Sequence, residues 1–191
     1  ELRAYLARPG ALVLDERGAG CCRTDLLVVG QTLHAFEIKS ARDSLRRLPA
    51  QAAEFSRIFD QVTLVAAPKH CRALDLIPPW WGVLYVSAPP CAALTLLREG
   101  RQNPAVEPRA LATLLWHDET MVLLEARGLA RGVRGKPRAA AWDRLCQRFT
   151  LEEIREAVHF VQIEQAKRFV NRALPFAEAA AFLDQLVNAQ E

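Results

Sequence analysis

The sequence predicts a mixed α/β domain over about residues 1–90, followed by a helical extension. Three observations carry this. Two apolar runs, Asp25–Val29 and Leu33–Ile38, are separated only by Gly30, Gln31 and Thr32, which reads as a β-hairpin. A helical pattern follows, with Leu45, Leu48, Ala52, Phe55, Ile58 and Phe59 recurring at spacings of three and four. Val62–Ala66 and Gly82–Val86 then read as buried strands, and hairpin plus crossover connections imply a mixed sheet.

The other elements follow in order. Residues 2–8 have helical composition and stop at Pro9-Gly10, while Ala11–Leu14 is a short apolar run. Residues 15–23 are polar and contain glycine, so they read as a loop. Pro49 predicts either a break in the central helix or a second helix with the proline in its first turn. Residues 70–77 suit a short helix ending at Pro78-Pro79. Prolines at 89, 90, 104 and 108 flank the apolar Leu94–Leu97, which predicts a linker over 91–110 with one short element. The extension, 111–191, reads as helices over 111–126 and 138–149, a third opening on a Thr150–Glu153 capping box and running to about Asn171, and a last one over 176–187.

Composition narrows the function classes. The chain has 191 residues, of which 51% are hydrophobic and 25% charged, enough apolar surface for a core and too much for a disordered chain. Its apolar runs fall well below the roughly 20 residues of a membrane-spanning helix. A soluble protein without a secretory leader is expected. Five cysteines without Cys-x-x-Cys spacing argue against a disulfide framework or a zinc site and suit the reduced thiols of a cytoplasm. The net charge of +3 is too small to signal nucleic-acid binding, but it is unevenly spread. Six bases face one acid between Arg127 and Arg144, whereas from Thr150 onward seven acids face four bases.

The chemistry concentrates at one end of the hairpin. Glu37 and Lys39 are two apart on a strand, so both side chains leave the same face, while Phe36 and Ile38 point into apolar packing. A carboxylate and an amine there are costly to bury unless they serve each other or a ligand. With a three-residue turn at Gly30–Thr32, Val29 faces Leu33 and Asp25 falls across from Glu37. A two-residue turn would shift the register and put Asp25 on the wrong face unless a bulge restored it. Converging carboxylates call for a raised pKa or a bound cation, and hard oxygen donors favour Mg²⁺ or Mn²⁺. Glu16 is a candidate third carboxylate, Lys39 a candidate for positioning water or stabilising the transition state, and Gln51 a candidate for orienting a water or a phosphate.

Asp25 followed by Glu37-Ile38-Lys39, with helix and strand in this order, resembles the PD-(D/E)XK nuclease superfamily. Glu16 resembles the acid that many members place before the motif aspartate, and Gln51 with Phe55 is similar to the Q-x-x-x-Y element of one branch. The stretch from Thr24 to Val65 looks closer still to a family of small bacterial proteins carrying this core, of largely unassigned role. The resemblance covers about residues 11–86. It implies a restriction-endonuclease-like αβββαβ core in which Asp25, Glu37 and the main-chain carbonyl of Ile38 hold Mg²⁺ or Mn²⁺ and Lys39 assists phosphodiester hydrolysis, with DNA the expected partner. Two positions depart from the pattern: Thr24 stands where the motif has proline, and Phe55 lacks the tyrosine hydroxyl. The bland alternative is a surface Glu37–Lys39 pair beside a solvated Asp25, worth about 0–1 kcal/mol.

A second constellation spans residues 123–145. A helix ends at Gly128, a turn holds Gly132, Gly135 and Pro137, and a second helix carries Trp142 inward. Its outline is similar to the SAP DNA-binding motif, with a longer turn. Arg131, Arg134, Lys136 and Arg138 are the candidate phosphate contacts there, against the alternative of a solvated basic face. Two further alternatives stay open: an inactive DNA-binding protein on the same fold, and an interaction module whose C-terminal helices dock a partner or form a homodimer. His34 has the opposite strand parity from Glu37 and should lie on the other face. Trp80-Trp81 reads as packing, and Cys21-Cys22 lacks the histidine partner of a nucleophile.

Overall fold

The computed structural model describes residues 2–6, 11–87 and 93–170. The helix expected over 176–187 lies outside them. The chain divides into two compact units, Glu1–Val106 and Glu107–Glu191.

The first unit is built on a six-stranded sheet in sequential order. Its strands are β1 (Leu12–Ala19), β2 (Cys22–Val29), β3 (Leu33–Lys39), β4 (Gln61–Ala66), β5 (Gly82–Val86) and β6 (Leu94–Arg98). Pairing is antiparallel for β1–β2, β2–β3 and β5–β6 and parallel for β3–β4 and β4–β5, so the sheet is mixed as expected. Two expectations need correction here. Residues 15–23 are not a loop: Asp15–Ala19 and Cys22–Arg23 prolong β1 and β2, and only Gly20 and Cys21 turn the chain. Gly20 takes the left-handed φ of 58° that so tight a turn requires, and the polar composition reflects the solvated outer strand of the sheet. The apolar run at Leu94 is not an island in a linker either. It pairs with β5 as β6, and the unit continues to Val106.

The helix α2 (Leu48–Ile58) makes the crossover from β3 to β4. A 3₁₀ turn over Leu45–Arg47 precedes it, and Pro49 sits in its first turn, where the missing N–H costs nothing. Leu48, Ala52, Phe55 and Ile58 are buried, and Phe55 lies against Phe59 and Trp81, with ring centroids 5.5 and 6.3 Å away. Truncating such a core aromatic costs about 3–5 kcal/mol. The opposite face carries Leu26, Phe36, Val65 and Leu84 in one cluster with Leu6 of the short helix α1 (Leu2–Leu6). A 3₁₀ segment over Pro68–Leu76, kinked at His70, joins β4 to β5.

The second unit is helical: α3 (Pro108–Leu111), α4 (His117–Ala126), α5 (Arg138–Arg148) and α6 (Leu151–Val170). The single helix expected over 111–126 is therefore broken. A 3₁₀ turn over Ala112–Leu114 leads to Trp116 in extended conformation, whose N–H is accepted by Glu119 at 2.7 Å, so α4 starts anew. Glu119 is buried and also accepts from Gln165 at 2.7 Å. The capping box exists: Thr150 N donates to Glu153 at 2.7 Å and Glu153 N to the Thr150 hydroxyl at 3.3 Å. No helix among the described residues is long and apolar enough to cross a membrane.

Candidate active site

The hairpin register decides what meets what. Val29 pairs with Leu33 and Gly30 N donates to Thr32 O at 3.2 Å, so the turn is the three-residue one. Pairing of β2 with β3 is regular as far as Leu26 with Phe36, and one step further the count sets Asp25 against Glu37. There the ladder gives way to side chains. The buried Thr24 hydroxyl lies 2.7 Å from the carbonyl of Leu26 and 3.0 Å from that of Phe36, and Asp25 Oδ2 accepts the main-chain N–H of Ile38 at 2.6 Å. Thr24 thus fastens the strand beside Asp25, a positioning role its sequence place did not announce.

On β3, Glu37 and Lys39 are 2% and 4% exposed, so the reading of a solvated surface pair does not hold. Lys39 Nζ donates to Glu37 Oε1 and, at 3.0 Å, to Gln51 Oε1, while Gln51 Nε2 donates to the same Glu37 oxygen at 2.7 Å. Three side chains from β3 and α2 close a triangle. Glu37 Oε2 is left buried and without a hydrogen-bond partner. Burial holds the Glu37 carboxyl above its ordinary range and the charge of Asp25 adds to this, against the lowering contacts from Lys39 and Gln51.

Asp15, Glu16, Asp25, Glu37, Lys39, Arg47 and Gln51 line one open cavity of about 600 Å³. The β1–β2 register passes from Asp15–Leu26 to Arg17–Thr24, so Glu16 falls opposite Asp25, in one row with Glu37. Glu16 has a left-handed φ of 46°, rare for a residue with a Cβ, and its side chain is exposed and paired with Arg23 at 2.8 Å. It borders the cavity without joining the buried triangle. Among the described residues no three His, Cys, Asp or Glu side chains are gathered as a ligand cluster. Asp25 and Glu37 are the two carboxylates of the row that could hold a cation together, and the second has an unsatisfied buried oxygen. That fits a hard cation that keeps several waters and takes only one or two protein carboxylates. Ile38 meets Asp25 through its main-chain N–H.

The other candidates fall as follows. His34 lies on the face of Phe36, stacked on it at 4.2 Å and 2.8 Å from the Thr63 hydroxyl. Trp81 is fully buried in the core. Burial, the neighbouring Cys21 thiol and the charges of Glu54 and Glu37 push the Cys22 thiol up to about 11, so it is no thiolate nucleophile at neutral pH. In the second unit the basic turn exists as drawn, with Gly132 and Gly135 at φ of 83° and 75° and Val133 buried beneath. Arg131 and Lys136 are exposed. Arg134 is committed to Glu125 at 2.9 Å, and the Arg138 guanidinium lies over the Trp142 ring at 4.5 Å.

Fold and site together define a mixed α/β protein with a buried carboxylate–amine–amide triangle at one end of its sheet. The chain belongs to the bacteriophage P4 protein cII family, whose model matches residues 18–180. Protein cII of Enterobacteria phage P4 is 51% identical over 47 residues, a match covering 25% of this chain and 18% of that relative. The match thus spans under a fifth of the relative's length. Among solved structures, a protein of unknown function from Silicibacter pomeroyi aligns with a TM-score of 0.42 at 20% identity, covering 72% of this chain and 88% of that one.

Proposed function

We propose that the first unit is a metal-dependent nuclease hydrolysing phosphodiester bonds of nucleic acid, with DNA as the first substrate to test. The observation that supports this reading is the unpartnered Glu37 Oε2, buried within a polar cavity and beside a second carboxylate, Asp25. An unsatisfied buried anion is destabilising, which makes a cation-holding role the physical rationale for keeping it.

Asp25 and Glu37 would hold the cation, the first already oriented by the Ile38 N–H and the second with a free buried oxygen. Polarisation of a phosphoryl oxygen and activation of a water are what bound Mg²⁺ or Mn²⁺ supplies at such a seat. Lys39 keeps an ammonium 3.0 Å from Gln51 and against Glu37, ready to offset negative charge developing on the substrate. Gln51 fixes both partners from the helix, so neither must reorganise as substrate enters. Asp25 is held through the Ile38 N–H.

The test is purified protein with supercoiled, linear and single-stranded DNA, with Mg²⁺ or Mn²⁺ and with chelator, with Glu37→Gln and Lys39→Ala as controls. Cleavage that requires the ion and is lost in both variants is expected. A second reading, DNA binding without cleavage, is favoured by the exposed Arg131 and Lys136 on their glycine-built turn. It predicts no cleavage with any ion and loss of binding when these two are neutralised.

A further inference from the structure

The cavity around Asp25 and Glu37 has a charge problem that its lining only partly solves. Five carboxylates border it, Asp15, Glu16, Asp25, Glu37 and Asp43, and a polyanion would be repelled from such a mouth unless cations meet it at the rim. Lys39 is turned inward onto Glu37 and Gln51, and Arg23 is bound to Glu16. Arg47 is the remaining cation of the lining. It stands four residues before Gln51, so the two share a helical face, with Gln51 inside the triangle and Arg47 one turn nearer solvent.

The connection carrying Arg47 is built to present it. Ser40 N donates to Asp43 Oδ2 at 2.7 Å, Asp43 N to Ser40 O at 3.1 Å, and His70 Nε2 meets Ser40 O at 2.8 Å. Ser44 accepts from Arg46 N at 3.2 Å, and Leu48 anchors the far end in the core. These local bonds leave the Arg42, Arg46 and Arg47 side chains exposed, with no ion pair or hydrogen bond to any described residue. By contrast, Arg57, Arg109, Arg127 and Arg134 each hold an acid.

We infer that Arg42, Arg46 and Arg47 form the grip for the substrate backbone, with Arg47 taking a phosphate next to the one in the cavity. This rests on the nuclease reading for the kind of partner, a nucleic acid whose backbone reaches the cavity, whereas the contact itself needs only binding there. It assigns backbone recognition to the first unit and not to the turn around Arg131. Contacts of this kind bind any sequence and weaken steeply with salt.

The experiment is a fluorescence-anisotropy titration of a labelled duplex and a labelled single strand with the full chain, in chelator so that nothing is cut, across a salt series. Cleavage with Mn²⁺ is measured separately. In Arg42→Ala/Arg46→Ala/Arg47→Ala we expect affinity to fall at least about tenfold at low salt and the slope of log affinity against log salt to shrink by about 0.9 for each arginine removed on duplex. The corresponding triple lysine variant, which keeps the charge, should hold the wild-type slope. An unchanged slope in the alanine variant overturns the inference, as does loss of binding only when Arg131 and Lys136 are replaced. If the slope shrinks as expected but wild type cuts nothing in any ion, the backbone grip stands and the nuclease reading fails. If wild type cuts while the alanine variant binds normally, the reverse holds.

Discussion

Gln51 on α2 donates its amide to the same Glu37 oxygen that Lys39 approaches along β3, at 2.7 Å, while its own carbonyl accepts from Lys39 at 3.0 Å. One neutral side chain therefore orients both members of a buried ion pair. Replacing it with alanine frees both to move, and the expected outcome is a cleavage rate about 10–100-fold lower with the fold kept, in line with losses for residues that orient metal ligands. Single-turnover cleavage beside circular dichroism checks this, and a wild-type rate would remove Gln51 from the account.

Lys39→Met leaves the Glu37 carboxylate buried without its cation. Urea unfolding should register a loss of about 3–5 kcal/mol, most of it recovered in Glu37→Gln/Lys39→Met, where no uncompensated charge remains. A single variant as stable as wild type would mean the pair is solvated in solution.

The hairpin turn, the register of Asp25 against Glu37 and the crossover by α2 were all legible, because apolar alternation and a glycine-bearing turn fix strand pairing locally. Gln51 is legible from its place early on the helix that follows Glu37 and Lys39. The extension of β1 through Asp15–Ala19 was hidden, since a solvated outer strand has no apolar alternation to show. The break before α4 was hidden as well: Trp116 and Glu119 fit a continuous helix until the N-cap bond is seen. Thr24 and Arg47 carried no signal in spacing alone. Their roles depend on where the ladder stops and on which arginines find acids, both consequences of tertiary packing.

The pH dependence of metal-free stability should carry the signature of Glu37. Its pKa is raised in the fold by burial and by Asp25, so relative to Glu37→Gln the wild type is favoured below the ordinary value of 4.5. That advantage is lost as pH rises through the raised pKa. Thermal melts of the two proteins from pH 4 to about 8 should diverge in this sense. Parallel curves would show the carboxyl to be solvated.

Glu153 predicts the opposite sign in the second unit. Burial alone would raise its pKa, but the Arg127 guanidinium at 2.6 Å and the Thr150 N–H and hydroxyl outweigh it and hold it low. Its contribution is present above the ordinary value of 4.5 and is lost as pH falls through the depressed one. Thr150→Ala, which removes the reciprocal cap, should cost about 1 kcal/mol. Melts of Glu153→Gln against wild type across the acid range test the first statement and denaturant titration of Thr150→Ala the second.

The most direct measurement is calorimetric titration of Mn²⁺ into the metal-free protein, wild type against Asp25→Asn and Glu37→Gln. Saturable binding by wild type that disappears in both variants is the predicted result. Heats of binding that are absent from wild type, or equal in all three proteins, would contradict a cation seat between these two carboxylates.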